Sequence, residues 1–365
     1  MTRGRAFSHP SRQLAALALL LPAILQGCSR GDAALAPPTE PEVLAVLATQ
    51  GAQPAFARVA TSARELATAA DALCARRDAA SLEQVRVRWR AAYLDWRRAL
   101  PFMFGPADEQ DFKRRIGIWP VNDVVLAAVV TSPELRGLRG SADVRGYAAA
   151  EFLLFVPADA AAATAADRCE HLRDVTREIA EVSARTSQRW DEDYGRRFTA
   201  AGDGQPFLTP NEALTLAAAE SVNVTERILW DNLGMPSGFF QDPPRPDMLD
   251  AWRSGSTRDG LRAMVEGLRT TIIGDGRTGL AGLVATKDGL VEHRDPVLAA
   301  RMERQIARIL DDLDDDWPDI HTTLETRPKL LQGLYRDLQT LQDQLVEATL
   351  VLELDVRSHA ENHQD

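Results

Sequence analysis

An all-α fold is predicted by three features of the chain. Apolar residues recur at three- and four-residue steps over most of its length, almost no run alternates as a strand would, and Pro and Gly cluster in the gaps between periodic stretches. The deepest gap is Gly202-Asp-Gly-Gln-Pro206. With 365 residues of which 45% are hydrophobic, the chain suits two domains of ordinary size. We therefore expect two packed helical-bundle lobes, 54–205 and 206–358, after a leader (1–27) and a flexible tether (28–53), with a short tail at 359–365.

The first thirteen residues carry Arg3, Arg5 and Arg12 and no acid, and they lead into an apolar run from Leu14 to Leu25. That run is shorter than the ~20 residues a spanning helix needs, so it reads as a secretory signal. Leu25-Gln-Gly-Cys28 has the form of a lipobox, with cleavage before Cys28 and lipid on its thiol; ordinary cleavage to a periplasmic protein is the alternative. Ser29 after the cysteine, by resemblance to bacterial lipoproteins, favours the outer membrane. The expected location is the envelope of a Gram-negative-type bacterium, facing the periplasm. Between Ser29 and Gln53, Pro37, Pro38 and Pro41 argue for a tether.

Helical periodicity starts with Phe56, Val59, Ala63, Leu66, Ala70 and Leu73. It resumes with Leu82, Val85, Trp89, Ala92, Tyr93 and Trp96, and the second helix should stop before Pro101. Leu172, Val175, Ile179 and Val182 mark a long helix towards Trp190. In the second half, helices are marked by Leu214 to Ile228, by Leu261 to Ile272, by Met302 to Leu313 and by a leucine series from Leu330 to Leu352. A proline-rich connection, 236–255, separates the first two of these and is placed to cover the boundary between lobes.

Cys74 and Cys169 remain after the leader is removed, each at an end of a helical pattern and in a compartment that permits disulfides. One bridge and two buried thiols are both open readings. No CxxC occurs, which excludes a cysteine zinc cluster. Removing the three leader arginines from 42 Lys+Arg leaves 39 against 53 Asp+Glu, a net charge of about −14. Such a surface repels nucleic acid and favours cations as small partners.

The stretch Arg145-Gly-Tyr-Ala-Ala-Ala-Glu-Phe-Leu-Leu-Phe155 is apolar enough to be buried, yet Glu151 sits in its middle. It resembles the GxHxxE signature of the imelysin family (peptidase family M75), with Gly146 as the Gly, Glu151 as the Glu, and Ala148 where the family has His. The order of Phe104-Gly-Pro106, Trp119-Pro120 and Leu233-Gly-Met-Pro236 is similar to that family as well. Around Trp119-Pro120 the family's polar positions fall on Gly117 and Asn122. The resemblance implies an imelysin-like fold, a ligand or metal site that includes Glu151, association with iron or haem uptake, and envelope iron-uptake components as partners. Iron or another divalent metal is the cofactor it implies. Peptidase action, the family's namesake chemistry, is argued against by Ala148, since activating water on a metal takes about three protein ligands. We expect a non-catalytic binding protein; the alternative is a metal-dependent peptidase with a site rebuilt from Glu151, Asn122 or His171.

Each candidate has a plainer reading. Glu151 could pair with a buried cation such as Arg145 or Arg115 in place of a metal, because a buried unpaired carboxylate costs several kcal/mol. His171, His293 and His321 form no HxxxH or HxxE pair, and His359 with His363 lie in the polar tail. The run Asp311 to Asp316 is interrupted by Leu313, is followed by Trp317, and lacks the glycine of a calcium loop, so it reads as a solvated helix end. Trp89, Trp96 and Trp119 read as core anchors.

Overall fold

A computed structural model describes residues 38–204, 206–240, 243–286, 296–314 and 319–356. The expected leader, the Cys28 lipobox, His293, His359, His363 and residues 315–318 lie outside them. Among the described residues no strand forms, and the sole extended pairing is an isolated bridge between Gly204 and Phe207. All described residues belong to one compact unit.

The principal helices are α1 (Glu40–Val46), α2 (Gln53–Arg76), α3 (Ala79–Ala99), α4 (Gly146–Phe155), α5 (Ala166–Arg189), α6 (Pro210–Arg227), α7 (Thr257–Ile273), α8 (Leu280–Thr286), α9 (Pro296–Asp314), α10 (Ile320–Thr326) and α11 (Pro328–Val351). Helix α2 packs against α3 and α5, and α4 fills the angle between α3 and α5. Helices α6, α7, α9 and α11 form the second set, and α7 lies directly on α3. The boundary between the sets is therefore a helix-on-helix contact continuous with the core.

The tether expectation is corrected from Glu40 onward. Thr39 and Glu42 make a reciprocal capping box, with the Thr39 N–H donating to Glu42 Oε2 at 2.8 Å, and Pro41 sits in the first turn, where its missing N–H costs nothing. Val43, Leu44, Leu47 and Ala48 are buried, so α1 and the π-helical turn Leu47–Ala52 belong to the core. Helix α2 ends where Arg77 turns left-handed (φ 56°), and Asp78 caps α3 by accepting from the Ser81 N–H at 2.7 Å. Helix α3 stops at Ala99, ahead of Pro101 as its sequence requires.

Cys74 and Cys169 form a disulfide with Cα atoms 5.7 Å apart, joining the end of α2 to the start of α5. An aromatic stack seats α4. Trp96 lies on Tyr147 with centroids 4.8 Å apart, Trp89 on Tyr93 at 5.0 Å, and Trp89 Nε1–H donates to the Tyr147 carbonyl at 3.0 Å. The anchoring role expected of Trp89 and Trp96 is what the structure has.

Candidate functional site

Helix α4 begins at Gly146, whose φ of +79° brings its backbone against Ile116. A Cβ at that position would lie 2.4 Å from the Ile116 carbonyl oxygen, so only glycine fits. From there α4 is buried through Leu154, including Ala148 and Glu151. The helix thus carries its single carboxylate into the interior, facing the 243–256 connection.

Glu151 is fully buried. Its Oε1 accepts from the Ser254 N–H at 2.8 Å, and its Oε2 lies 3.6 Å from Nη1 of Arg253. Burial pushes its pKa up to about 7, with nearby Asp250 adding to the rise; the Ser254 N–H and Arg253 pull the other way without cancelling it. The cation is not one of those expected. Arg115 and Arg145 both reach Glu178 of α5, at 3.0 and 3.5 Å. Glu178 keeps some solvent exposure, so pairing there spares both partners full desolvation.

Arg253 is itself only 7% exposed. One edge of its guanidinium meets Asp123, the other Glu151, and the plane lies over Trp252 at 4.8 Å and Phe152 at 5.7 Å. Close by, Asp250 accepts from the Tyr93 hydroxyl at 2.9 Å and pairs with Arg97, both from α3. Burial and the neighbouring carboxylates hold the Tyr93 phenol protonated. Gly260 of α7 allows this approach, since a Cβ there would stand 2.6 Å from the Tyr93 hydroxyl. Two acids and two arginines thus join α3, α4 and the connection before α7.

Outside this cluster opens a cleft of about 650 Å³, lined by residues 119–123, Asp143, Arg245, Asp247, Met248 and Arg253. Trp119 is fixed in its wall by an indole N–H donated to the Met248 carbonyl at 3.1 Å, and a cis bond joins it to Pro120. Arg245 and Asp247 close on each other through two hydrogen bonds of 2.9 and 2.7 Å. Asn122 caps the short Asp123–Val129 helix, its Oδ1 accepting from the Val125 N–H at 3.1 Å. A groove of similar size between α6 and α11 is lined by Val222, Val346 and Leu350, away from these charges.

The structure therefore brings Trp119 and Asn122 to the cleft and places Gly146, Ala148 and Glu151 behind it. His171 is buried elsewhere in use, with Nε2 2.8 Å from the Val144 carbonyl, and burial lowers its pKa. Arg253, Asp250, Asp123 and Ser254 were missed by sequence reasoning. The signal available was the charge at Asp247, Asp250 and Arg253 inside a connection rich in Pro.

These residues do not fit a metal ion. Ala148 offers a methyl group, Asn122 is spent as a cap, Oε1 of Glu151 accepts from Ser254, and Oε2, which has no hydrogen bond, faces the Arg253 cation at 3.6 Å. Among the described residues no three His, Cys, Asp or Glu side chains converge as ligands.

The profile of the peptidase M75 family, imelysin, matches residues 52–349. The chain is 26% identical over 261 residues to iron-regulated protein A of Synechococcus elongatus, which covers 70% of this chain and 69% of that one. Its fold is similar to the crystal structure of an iron-regulated protein A precursor from Parabacteroides distasonis, with a TM-score of 0.75 at 17% identity over 87% of this chain and 97% of the other. It is similar also to an imelysin-like protein from Psychrobacter arcticum, with a TM-score of 0.66 at 18% identity over 87% and 96%. A family match across most of the chain, an all-α fold shared with two solved relatives and the altered motif on α4 lead to one conclusion: this chain belongs to the imelysin family.

Proposed function

We propose that this protein is a non-catalytic binding component of the bacterial envelope that serves iron or haem acquisition. The observation that carries the reading is the state of Glu151. Its buried carboxyl accepts the Ser254 N–H and lies 3.6 Å from the Arg253 guanidinium, so the motif acid faces a resident cation where peptide hydrolysis would need a metal-bound water. The name of the Synechococcus relative supports the link to iron. The cleft beside Trp119 and Arg253 is the binding surface in this reading.

The leader and Cys28 supply the anchor, with the folded unit held by lipid at the periplasmic face of the outer membrane. Among the described residues no helix is long and apolar enough to cross a membrane. Cys28→Ser should then move the protein from the membrane to the soluble fraction and change its electrophoretic mobility; unchanged fractionation would refute the anchor.

The function is tested by titrating the purified chain with haemin, a ferric siderophore and ferric citrate, with a casein-type protease assay alongside. Saturable binding of one of these that weakens in Trp119→Ala, without proteolysis, supports the proposal. Metal-dependent proteolysis abolished by Glu151→Gln would replace it with the peptidase reading.

A further inference from the structure

We infer that in this chain the guanidinium of Arg253 stands where the family resemblance would place a metal ion, so that the motif carboxylate is closed to divalent cations. The inference rests on the non-catalytic reading above and deepens it by naming the residue responsible. A metal on Glu151 would have to approach an oxygen to about 2.0–2.2 Å. Oε1 already accepts the Ser254 N–H, and Oε2 faces a fixed positive charge at 3.6 Å. Any incoming cation meets that charge in a buried setting, where repulsion is poorly screened. Nor can the charge be removed, because a guanidinium keeps its proton at every relevant pH.

The position of Arg253 is over-determined. Asp123 holds its second edge, and the rings of Trp252 and Phe152 lie against it, so three contacts besides Glu151 hold it in place. The loss of the motif histidine at Ala148 is matched by this arrangement, since a cation that arrives covalently tethered needs no second ligand from α4. The same arginine lines the cleft, so a ligand there meets a surface whose charge is set by the fold and not by metal supply.

The test measures metal content and thermal stability of the full chain at pH 8, where Glu151 is ionised, with Zn²⁺ or Mn²⁺ alone as the probe. The parent and Glu151→Gln should carry the same metal after dialysis, and a chelator should leave the parent Tm unmoved. Ala148→His should gain no bound metal while Arg253 remains. Arg253→Met leaves Glu151 and Asp123 without their cation; it should gain a bound metal ion and a Tm raised by several degrees on adding metal, and Arg253→Met with Glu151→Gln should lose both gains. Metal in the parent that Glu151→Gln removes, metal gain in Ala148→His alone, or a folded Arg253→Met that ignores metal would each overturn the inference. If Arg253→Met does not fold, the parent, Glu151→Gln and Ala148→His still decide it. Failure here would leave the iron-compound titrations untouched, and failure of those titrations would leave the Glu151 to Arg253 pair in place.

Discussion

The backbone N–H of Ser254 donates to Oε1 of Glu151 at 2.8 Å, across 103 positions of sequence. This bond ties the middle of α4 to the turn that starts α7, and beside it Arg253 supplies the charge. A polar link of this kind at a helix boundary sets register, because a half-turn rotation of α4 would strand both the acid and the arginine.

Glu151 gives the fold a pH dependence of known sign. Its pKa is about 7 in the folded chain against 4.5 for the ordinary group. The folded state therefore holds this proton more tightly than the unfolded one, so the contribution is full below about pH 4.5 and is lost as pH rises to about 7, a change of about 3 kcal/mol. Glu151→Gln cannot titrate and still accepts from Ser254. Urea melts between pH 5 and 8 should show the parent losing stability relative to the variant; parallel curves would refute the raised pKa.

The Asp250 cluster should behave as a unit. Tyr93→Phe removes the hydroxyl that donates to Asp250 and should cost about 1–2 kcal/mol. Asp250→Asn leaves Arg97 buried without its counter-charge and should cost about 3–5 kcal/mol. The double variant should cost less than the sum, since both changes break one network. Strict additivity in chemical denaturation would show that the hydroxyl and the arginine act separately.

The Cys74–Cys169 bridge closes a loop with a separation of 95 residues. Replacing both cysteines with alanine should cost about 4 kcal/mol, chiefly by freeing the unfolded chain. Alkylation under denaturing, non-reducing conditions should label neither residue. Peptides carrying labelled Cys74 or Cys169 would contradict the bridge.

Gly146→Ala tests the start of α4. At φ +79° with the Ile116 carbonyl 2.4 Å from the new Cβ, the substitution should cost about 2 kcal/mol or more. An unchanged melting temperature would show that the Ile116 segment yields freely.

Sequence by itself determined the long helices and placed the two cysteines at helix ends, with a bridge as one of two readings that the structure then decided. The spacing of Phe56 to Leu73 and of Leu82 to Trp96 specifies α2 and α3, because a 3.6-residue repeat of apolar side chains can bury them only as a helix. The altered motif was legible too, since Gly146, Ala148 and Glu151 are contiguous on α4. One local signal was misjudged: Thr39 to Glu42 is a capping box, but Pro41 was weighed as a helix breaker when it stands in a first turn, where proline is tolerated. The partner of Glu151 was decided by tertiary structure alone. Arg115 and Arg145 are nearer in sequence, but side-chain direction on α4 and the path of the 243–256 connection choose Arg253, about a hundred residues away. Which cation neutralises a buried acid depends on what the packed chain brings within a few ångströms, and no periodicity or spacing in one sequence encodes that distance.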